Sequence, residues 1–216
     1  MYLTWYGQSC FKIQGADTTV VTDPFDKTYG LKTARGPADI VTISHDHTDH
    51  NAAGLIKGTS DKGPFIIDRA GEYEVGSVFV FGLPTWHDDS EGSERGPNIV
   101  FRFEVEGVSI VHLGDLGHSL SNGALEKIEG ADVLLIPVGG TYTLDAKAAT
   151  KIISQVEPRL VIPMHYKVPG LKLNLGTVDT FCKELGVSSG ERVKKLKITK
   201  KELPADEMKT VIMDVV

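Results

Sequence analysis

Apolar positions in the first half of the chain come in short alternating bursts rather than helical steps. Residues 2–6, 10–13 and 18–22 are rich in aromatic and β-branched side chains and are punctuated by Gly7 and Gly15, so each predicts a strand. Residues 38–44 form a β-branched run that reads as another strand, this one ending in a dense polar cluster. A short helix is predicted over 51–56, and further strands over 64–68 and 77–83, with Gly71 and Gly76 at turns.

The second half changes rhythm. Residues 98–105 and 108–113 predict a hairpin around Glu106-Gly107, and 121–129 a helix with Ser121 as its N-cap. The run Val133-Leu134-Leu135-Ile136 marks a fully buried strand over 132–137, and 159–163 reads the same way. Between them, 144–156 is amphipathic at helical spacing, with Asp145 near its start and Pro158 stopping it. A last helix is predicted over 178–185, closed by Gly186, and a last strand near 210–215. A strand-rich meander followed by strand–helix alternation implies a layered α/β architecture.

Composition narrows this to an ordinary folded chain. Its 216 residues, 41% hydrophobic and 24% charged, suit one domain spanning 1–216. A net charge of -6 argues against general affinity for nucleic acid. Cys10 and Cys182 make no C-x-x-C pair and no disulfide scaffold. The first residues lack the basic and apolar regions of a signal peptide, and no stretch is long enough to cross a membrane, so a cytoplasmic location is expected. In the Lys-rich stretch 192–201, basic residues alternate with Val193, Leu196 and Ile198. That pattern fits an edge strand guarded by lysines better than a nucleic-acid patch, which would interleave aromatics.

Chemistry is concentrated in Ser44-His45-Asp46-His47-Thr48-Asp49-His50, an H-x-H-x-D-H spacing directly after the 38–44 strand. Imidazole and carboxylate are the ligands of zinc and neighbouring transition metals, and packing alone explains such a cluster poorly. His45 and His47 point the same way along an extended chain, while Asp49 and His50, on the following turn, can face a second position. Three more ligand-type residues lie just past strand ends: His87, Asp115 in Gly114-Asp115-Leu116-Gly117, and His165 in Pro163-Met164-His165-Tyr166. His112, inside an apolar strand, reads as a hydrogen-bonded core histidine. His118 follows Asp115 and is a candidate catalytic proton donor or substrate contact, set against a plain surface role. Tyr142 and Tyr166 are candidate oxyanion donors, although packed tyrosines are the commoner case. Asp88 and Asp89 read as solvated or as outer partners. Arg35, Arg95 and Lys167 are candidates to meet an anionic substrate, with solvated surface charge as the default.

Taken in order, H-x-H-x-D-H, a later loop histidine, G-D-x-G and P-M-H-Y resemble the metallo-β-lactamase-fold hydrolases, and in particular the branch that includes the ascorbate 6-phosphate lactonases. Ser9-Cys10-Phe11, Thr22-Asp23-Pro24, Gly71-Glu72-Tyr73 and the segment 137–143 extend the resemblance over nearly the whole chain. It implies a four-layer αββα sandwich. It also implies a first metal on His45, His47 and His87, a second on Asp49, His50 and His165, Asp115 bridging both, and Asp23 orienting ligands from behind. One departure stands near the start: relatives often read G-H-S-C-F where this chain has Gly7-Gln8-Ser9-Cys10-Phe11, and Gln8 cannot titrate or readily bind metal.

The expected function is hydrolysis of an ester, lactone or phosphoester bond in a small molecule by a metal-bridged hydroxide, with Asp49 orienting it. Two divalent ions are expected, zinc first, with manganese and iron as alternatives. The expected partner is the small-molecule substrate, with neither nucleic acid nor membrane, and a homo-oligomer is compatible with the chain. Phosphodiester cleavage of nucleic acid and a non-enzymatic metal or ligand sensor are the alternative functions. A redox di-iron role ranks lower, because that branch usually has Glu where His47 stands.

Overall fold

The computed structural model describes residues 1–188 and 191–216. In chain order its elements are β1 (Tyr2–Gly7), β2 (Cys10–Gln14), β3 (Thr19–Thr22), β4 (Ile40–Thr42), β5 (Phe65–Ile67), β6 (Gly71–Val75), β7 (Val78–Trp86), β8 (Pro97–Val105) and β9 (Val108–His112). There follow α1 (Asn122–Leu125), β10 (Val133–Pro137), α2 (Ala146–Val156), β11 (Leu160–Met164), α3 (Val178–Leu185), β12 (Glu191–Val193), β13 (Lys195–Lys197) and β14 (Lys209–Met213). The strands form two sheets, ordered β13-β1-β2-β3-β4-β5 and β12-β14-β11-β10-β9-β8-β7-β6.

Side-chain alternation assigns the faces. Leu3, Trp5, Phe11, Ile13, Val20 and Ile40 of the first sheet belong to the same buried core as Val78, Val80, Phe101, Phe103 and Ile110 of the second. The alternate residues Cys10, Val21 and Val41 form a second, smaller core with Phe25, Ala34, Ala38, Ala53 and Ile56 from the intervening loops. Strands β10 and β11 are buried along their whole length, as expected for parallel strands covered on both faces. Helix α2 packs against β10 and α3 through Ala149, Ile152, Ile153 and Val156, one stripe at helical spacing. Its N-cap is Asp145, which accepts from the Ala148 N–H at 2.8 Å. Helix α3 ends at Gly186, whose φ of +75° is the left-handed value glycine permits.

The sandwich has the expected metallo-β-lactamase architecture, but its two outer layers are unequal. Helices cover the eight-stranded sheet. Over the six-stranded sheet, the predicted 51–56 helix is a single 3-10 turn at Ala53–Leu55, and loops carry the apolar cover. The 121–129 helix is likewise cut to one turn, with Ser121 capping the Ala124 N–H. Strand β6 was not anticipated. It alternates exposed Glu72 and Glu74 with half-buried residues at a sheet edge, so it carries no apolar run. The Lys-rich stretch does supply edge strands, but it supplies two. β12 closes the eight-stranded sheet and β13 the six-stranded one, so the chain crosses between sheets at Lys194. Among the described residues no helix is long and apolar enough to span a membrane.

Buried Asp132 ties the start of β10 to its neighbours. It accepts from the Ser109 N–H at 2.9 Å and from Lys200 Nζ at 2.6 Å. Burial pushes its carboxyl up, but Lys200 and Ser109 outweigh it and hold the group below the usual range. Its stabilising contribution is therefore present above the unfolded value of about 3.9 and is lost as pH falls through the lower folded value. Asp132→Asn is expected to cost about 1–3 kcal/mol at neutral pH, read as a lower urea midpoint at unchanged slope, and to flatten the acid limb of the stability profile.

Candidate metal centre

Strand direction gathers the ligand-type residues at one rim. β3 runs parallel to β4, and β9, β10 and β11 run parallel to one another, so the residues that follow these strands emerge at carboxyl ends. Asp23 follows β3, the His45–His50 loop follows β4, His87 follows β7, Asp115 follows β9, and His165 follows β11. The turn between β1 and β2 adds Gln8 and Ser9.

All seven residues predicted as ligands come together. Three groups have ligand atoms within 4.8 Å of one another: His45, His47 and His87; His45, His50 and Asp115; and Asp49, His50 and His165. Asp115 is shared most widely. Its Oδ2 lies 3.1 Å from His165 Nε2, 3.3 Å from His50 Nε2 and 3.4 Å from His87 Nε2. His45, His50, His87, Asp115 and His165 are buried, Asp49 is half-buried, and His47 faces solvent.

Outer partners hold this arrangement from behind. Asp23 is fully buried and accepts from the Ser44 N–H at 2.7 Å and from Ser44 Oγ at 2.6 Å, and its Oδ2 lies 3.1 Å from His50 Nδ1. Ser44 Oγ in turn lies 2.9 Å from His45 Nδ1. Each of these contacts orients an imidazole so that Nε2 faces the cluster. Ser9 Oγ donates to Asp115 Oδ1 at 3.0 Å, and Gln8 Nε2 donates to Asp49 Oδ2 at 3.1 Å. Backbone strain concentrates here too: Gln8, Asp23 and His165 all have φ between +40° and +49°, a left-handed conformation uncommon outside glycine. The approach of the loops is close. A Cβ on Gly117 would meet the His87 carbonyl oxygen at 2.3 Å, and one on Gly139 the His165 carbonyl oxygen at 2.2 Å.

Residues 2–165 match the model of the β-lactamase superfamily domain, a span that ends on His165. A Thermotoga maritima protein of known structure, described as a Zn-dependent hydrolase of the metallo-β-lactamase superfamily, is 41% identical and superposes with a TM-score of 0.80 over 98% of this chain and 97% of its own. A metal-dependent hydrolase of Thermococcus onnurineus is 30% identical over 184 residues, 74% of this chain and 82% of the relative. One of Carboxydothermus hydrogenoformans is 27% identical over 214 residues, 87% of this chain and 95% of the relative. The chain belongs to the β-lactamase superfamily. Within it, the relatives make this protein a metal-dependent hydrolase.

The donor set of this metallo-hydrolase fits a divalent cation. The buried Nε2 of His45 has no hydrogen-bond partner among the described residues, and an unpaired buried donor or acceptor is costly unless something binds it. Burial, followed by the nearby His50, pushes His45 down to about 3, so it presents a neutral imidazole lone pair. Burial lowers His50 as well, but Asp115, Asp23 and Asp49 outweigh it and raise the group well above its ordinary value. Burial raises Asp115, and the flanking His165 and His50 reverse this and hold it well below the usual carboxylate range. The rim thus favours positive charge at its centre, which a cation supplies by displacing protons.

Other predicted residues have different fates. His112 is a core histidine: its Nδ1 accepts from the Gly114 N–H at 3.1 Å, so Nε2 carries the proton toward the Ser9 carbonyl at 2.8 Å. His118 is not brought to the cavity among the ligands. Its Nε2 accepts from the Trp86 N–H at 3.1 Å and its Nδ1 lies 2.8 Å from the Ser119 carbonyl, so backbone groups occupy both ring nitrogens. Tyr166 is buried with its hydroxyl on the Met213 carbonyl, and Lys167 donates to the Leu171 and Leu173 carbonyls. Asp88 does not bind at the cluster. It accepts the N–H groups of Ser90, Gly92, Glu94 and Arg95 and so shapes the loop after His87.

Asn98 escaped notice in the sequence. It accepts from the Asp115 N–H at 2.9 Å and donates to the Leu113 carbonyl at 3.0 Å. Its only signal is a buried-type polar residue leading the apolar run of β8. Ser44 and Ser9 were visible only as parts of motifs.

Asp23→Asn keeps a side chain suited to positive φ but removes a carboxylate from behind His50. It is expected to weaken metal binding about 10–100-fold, measured by competition with a chromogenic chelator, with the circular dichroism spectrum preserved.

Proposed function

We propose that this protein hydrolyses an ester, lactone or phosphoester bond of a small molecule with two divalent ions. His45, His47 and His87 would hold one ion, and Asp49, His50 and His165 the other, with Asp115 shared between them. The observation that carries this reading is Asp115 Oδ2, a single carboxylate oxygen within 3.4 Å of histidines from both groups. Zinc is the first choice because the donors are mostly imidazole, and the carboxylates leave manganese or iron as alternatives.

Bound there, divalent ions supply polarisation of the substrate oxygen and bring the pKa of water toward neutrality. The residues do the rest. Burial raises Asp49, but His50 outweighs this and keeps the carboxylate ionised at neutral pH. Gln8 Nε2 occupies Oδ2, which leaves Oδ1 to orient the attacking water and take up its proton. Proton handling rests with Asp49 in this reading, since the ring nitrogens of His118 are engaged elsewhere. The cavity over the cluster measures about 200 Å³, room for a compact substrate.

Protein purified without added metal should contain close to two equivalents by elemental analysis. His47→Ala and Asp115→Ala should each lose metal and turnover together on a panel of esters, lactones and phosphoesters, beyond the roughly 10–100-fold expected for an outer partner. Full activity in a metal-free His47→Ala protein would overturn the reading. Chelator-sensitive cleavage of labelled single-stranded RNA in place of small esters would reassign the substrate.

A further inference from the structure

We infer that Arg95 is the specificity-determining residue of this site. The substrate carries, beside the bond that is cut, a phosphate or carboxylate that the Arg95 guanidinium binds. The inference deepens the hydrolase reading above and rests on it for the location of the reacting bond.

Arg95 lines the same cavity as His47, His87, Asp115 and His165. It forms no ion pair within 4.0 Å among the described residues, in a chain with 29 acidic and 23 basic residues. Its side chain also makes no hydrogen bond to another described residue, whereas Lys167, the other nearby cation, spends its ammonium on two carbonyls. Arg95 is half-buried, and among the described residues nothing takes up its five side-chain N–H donors.

Its position is built rather than incidental. The guanidinium carbon lies 5.0 Å from the centre of the Tyr142 ring, a cation–π contact that positions the head group. The backbone beneath is fixed. Asp88 accepts the Arg95 N–H at 2.7 Å together with three other N–H groups of the loop, and the His87 N–H donates to the Gly96 carbonyl at 3.0 Å. A Cβ at Gly92 would meet the Trp86 ring at 2.6 Å, so the loop packs closely on that ring. A solvated surface arginine needs none of this. One short loop therefore holds a ligand histidine at its start and a free guanidinium near its end. Both line one cavity of about 200 Å³, so a compact molecule bound there can meet both. Phosphate and carboxylate share the planar pair of oxygens that a guanidinium edge reads, and a neutral group does not.

The test uses metal-loaded full-length protein, with Arg95→Met and Arg95→Lys as variants. The first readout is the ratio of kcat/KM between matched lactones and esters with and without a phosphate or carboxylate substituent. Wild type should prefer the anionic member, Arg95→Met should lower that ratio at least about tenfold, and Arg95→Lys should keep part of it. The second readout needs no turnover: calorimetric binding of methylphosphonate and of acetate, whose relative loss in Arg95→Met tells which anion is read. An equal ratio for anionic and neutral partners in wild type, or unchanged binding of both probes in Arg95→Met, would overturn the inference while leaving the hydrolase reading intact. No turnover on any substrate, together with weakened probe binding in Arg95→Met, would support the anion site and remove the proposed reaction.

Discussion

The structure depends on how two buried carboxylates, Asp23 and Asp115, are satisfied at the rim of the sandwich. Each would be costly to bury alone. Asp23 meets the cost with the Ser44 backbone, the Ser44 hydroxyl and His50, and Asp115 with Ser9, the Asn98-anchored backbone and the surrounding imidazoles. Removing either one leaves several oriented groups without a partner. The same contacts that make burial tolerable also aim the histidines, so stability and metal affinity are coupled through these two side chains.

That coupling explains where strain is kept. Gln8, Asp23 and His165 adopt left-handed backbone conformations at the point where strands of both sheets end. The energy for this comes from the core between the sheets, where Trp5, Phe11, Phe101 and Phe103 are fully buried. Glycines at 117 and 139 let carbonyl groups of the His87 and His165 segments pass at distances no side chain permits. In this metallo-hydrolase the helices contribute little directly to the site. They seal the outer face of the eight-stranded sheet, and the strand ends do the positioning.

Much of this was legible in the chain. The alternation over 2–22 and the apolar runs at 132–137 and 159–163 marked strands that the fold contains, and the 178–185 helix matches residue for residue. The ligand-type residues were legible because each interrupts an apolar run at its carboxyl end, where packing offers no reason for it. β6 and the two-way split of the Lys-rich stretch were not legible. Edge strands with exposed charges look like loops, and which sheet a short strand joins depends on residues far away in sequence. His118 shows a related limit. Adjacency to Asp115 in sequence does not set direction, and backbone groups of Trp86 and Ser119 captured its ring.

Periodicity and local chemistry are properties of neighbouring residues, and they were enough for the layered α/β class, the strand that delivers His45 to His50, and the set of residues able to bind metal. The folded chain was needed to show that Asp115 stands among histidines of both groups, that Gln8 holds Asp49, that Asp88 shapes a loop rather than binding at the cluster, and that Arg95 faces the cavity with no ion pair among the described residues while carbonyls hold Lys167. The first two are contacts across tens of residues, and the last two are side-chain directions within loops. Both are set by strand register and by buried hydrogen bonds, and a linear pattern contains neither.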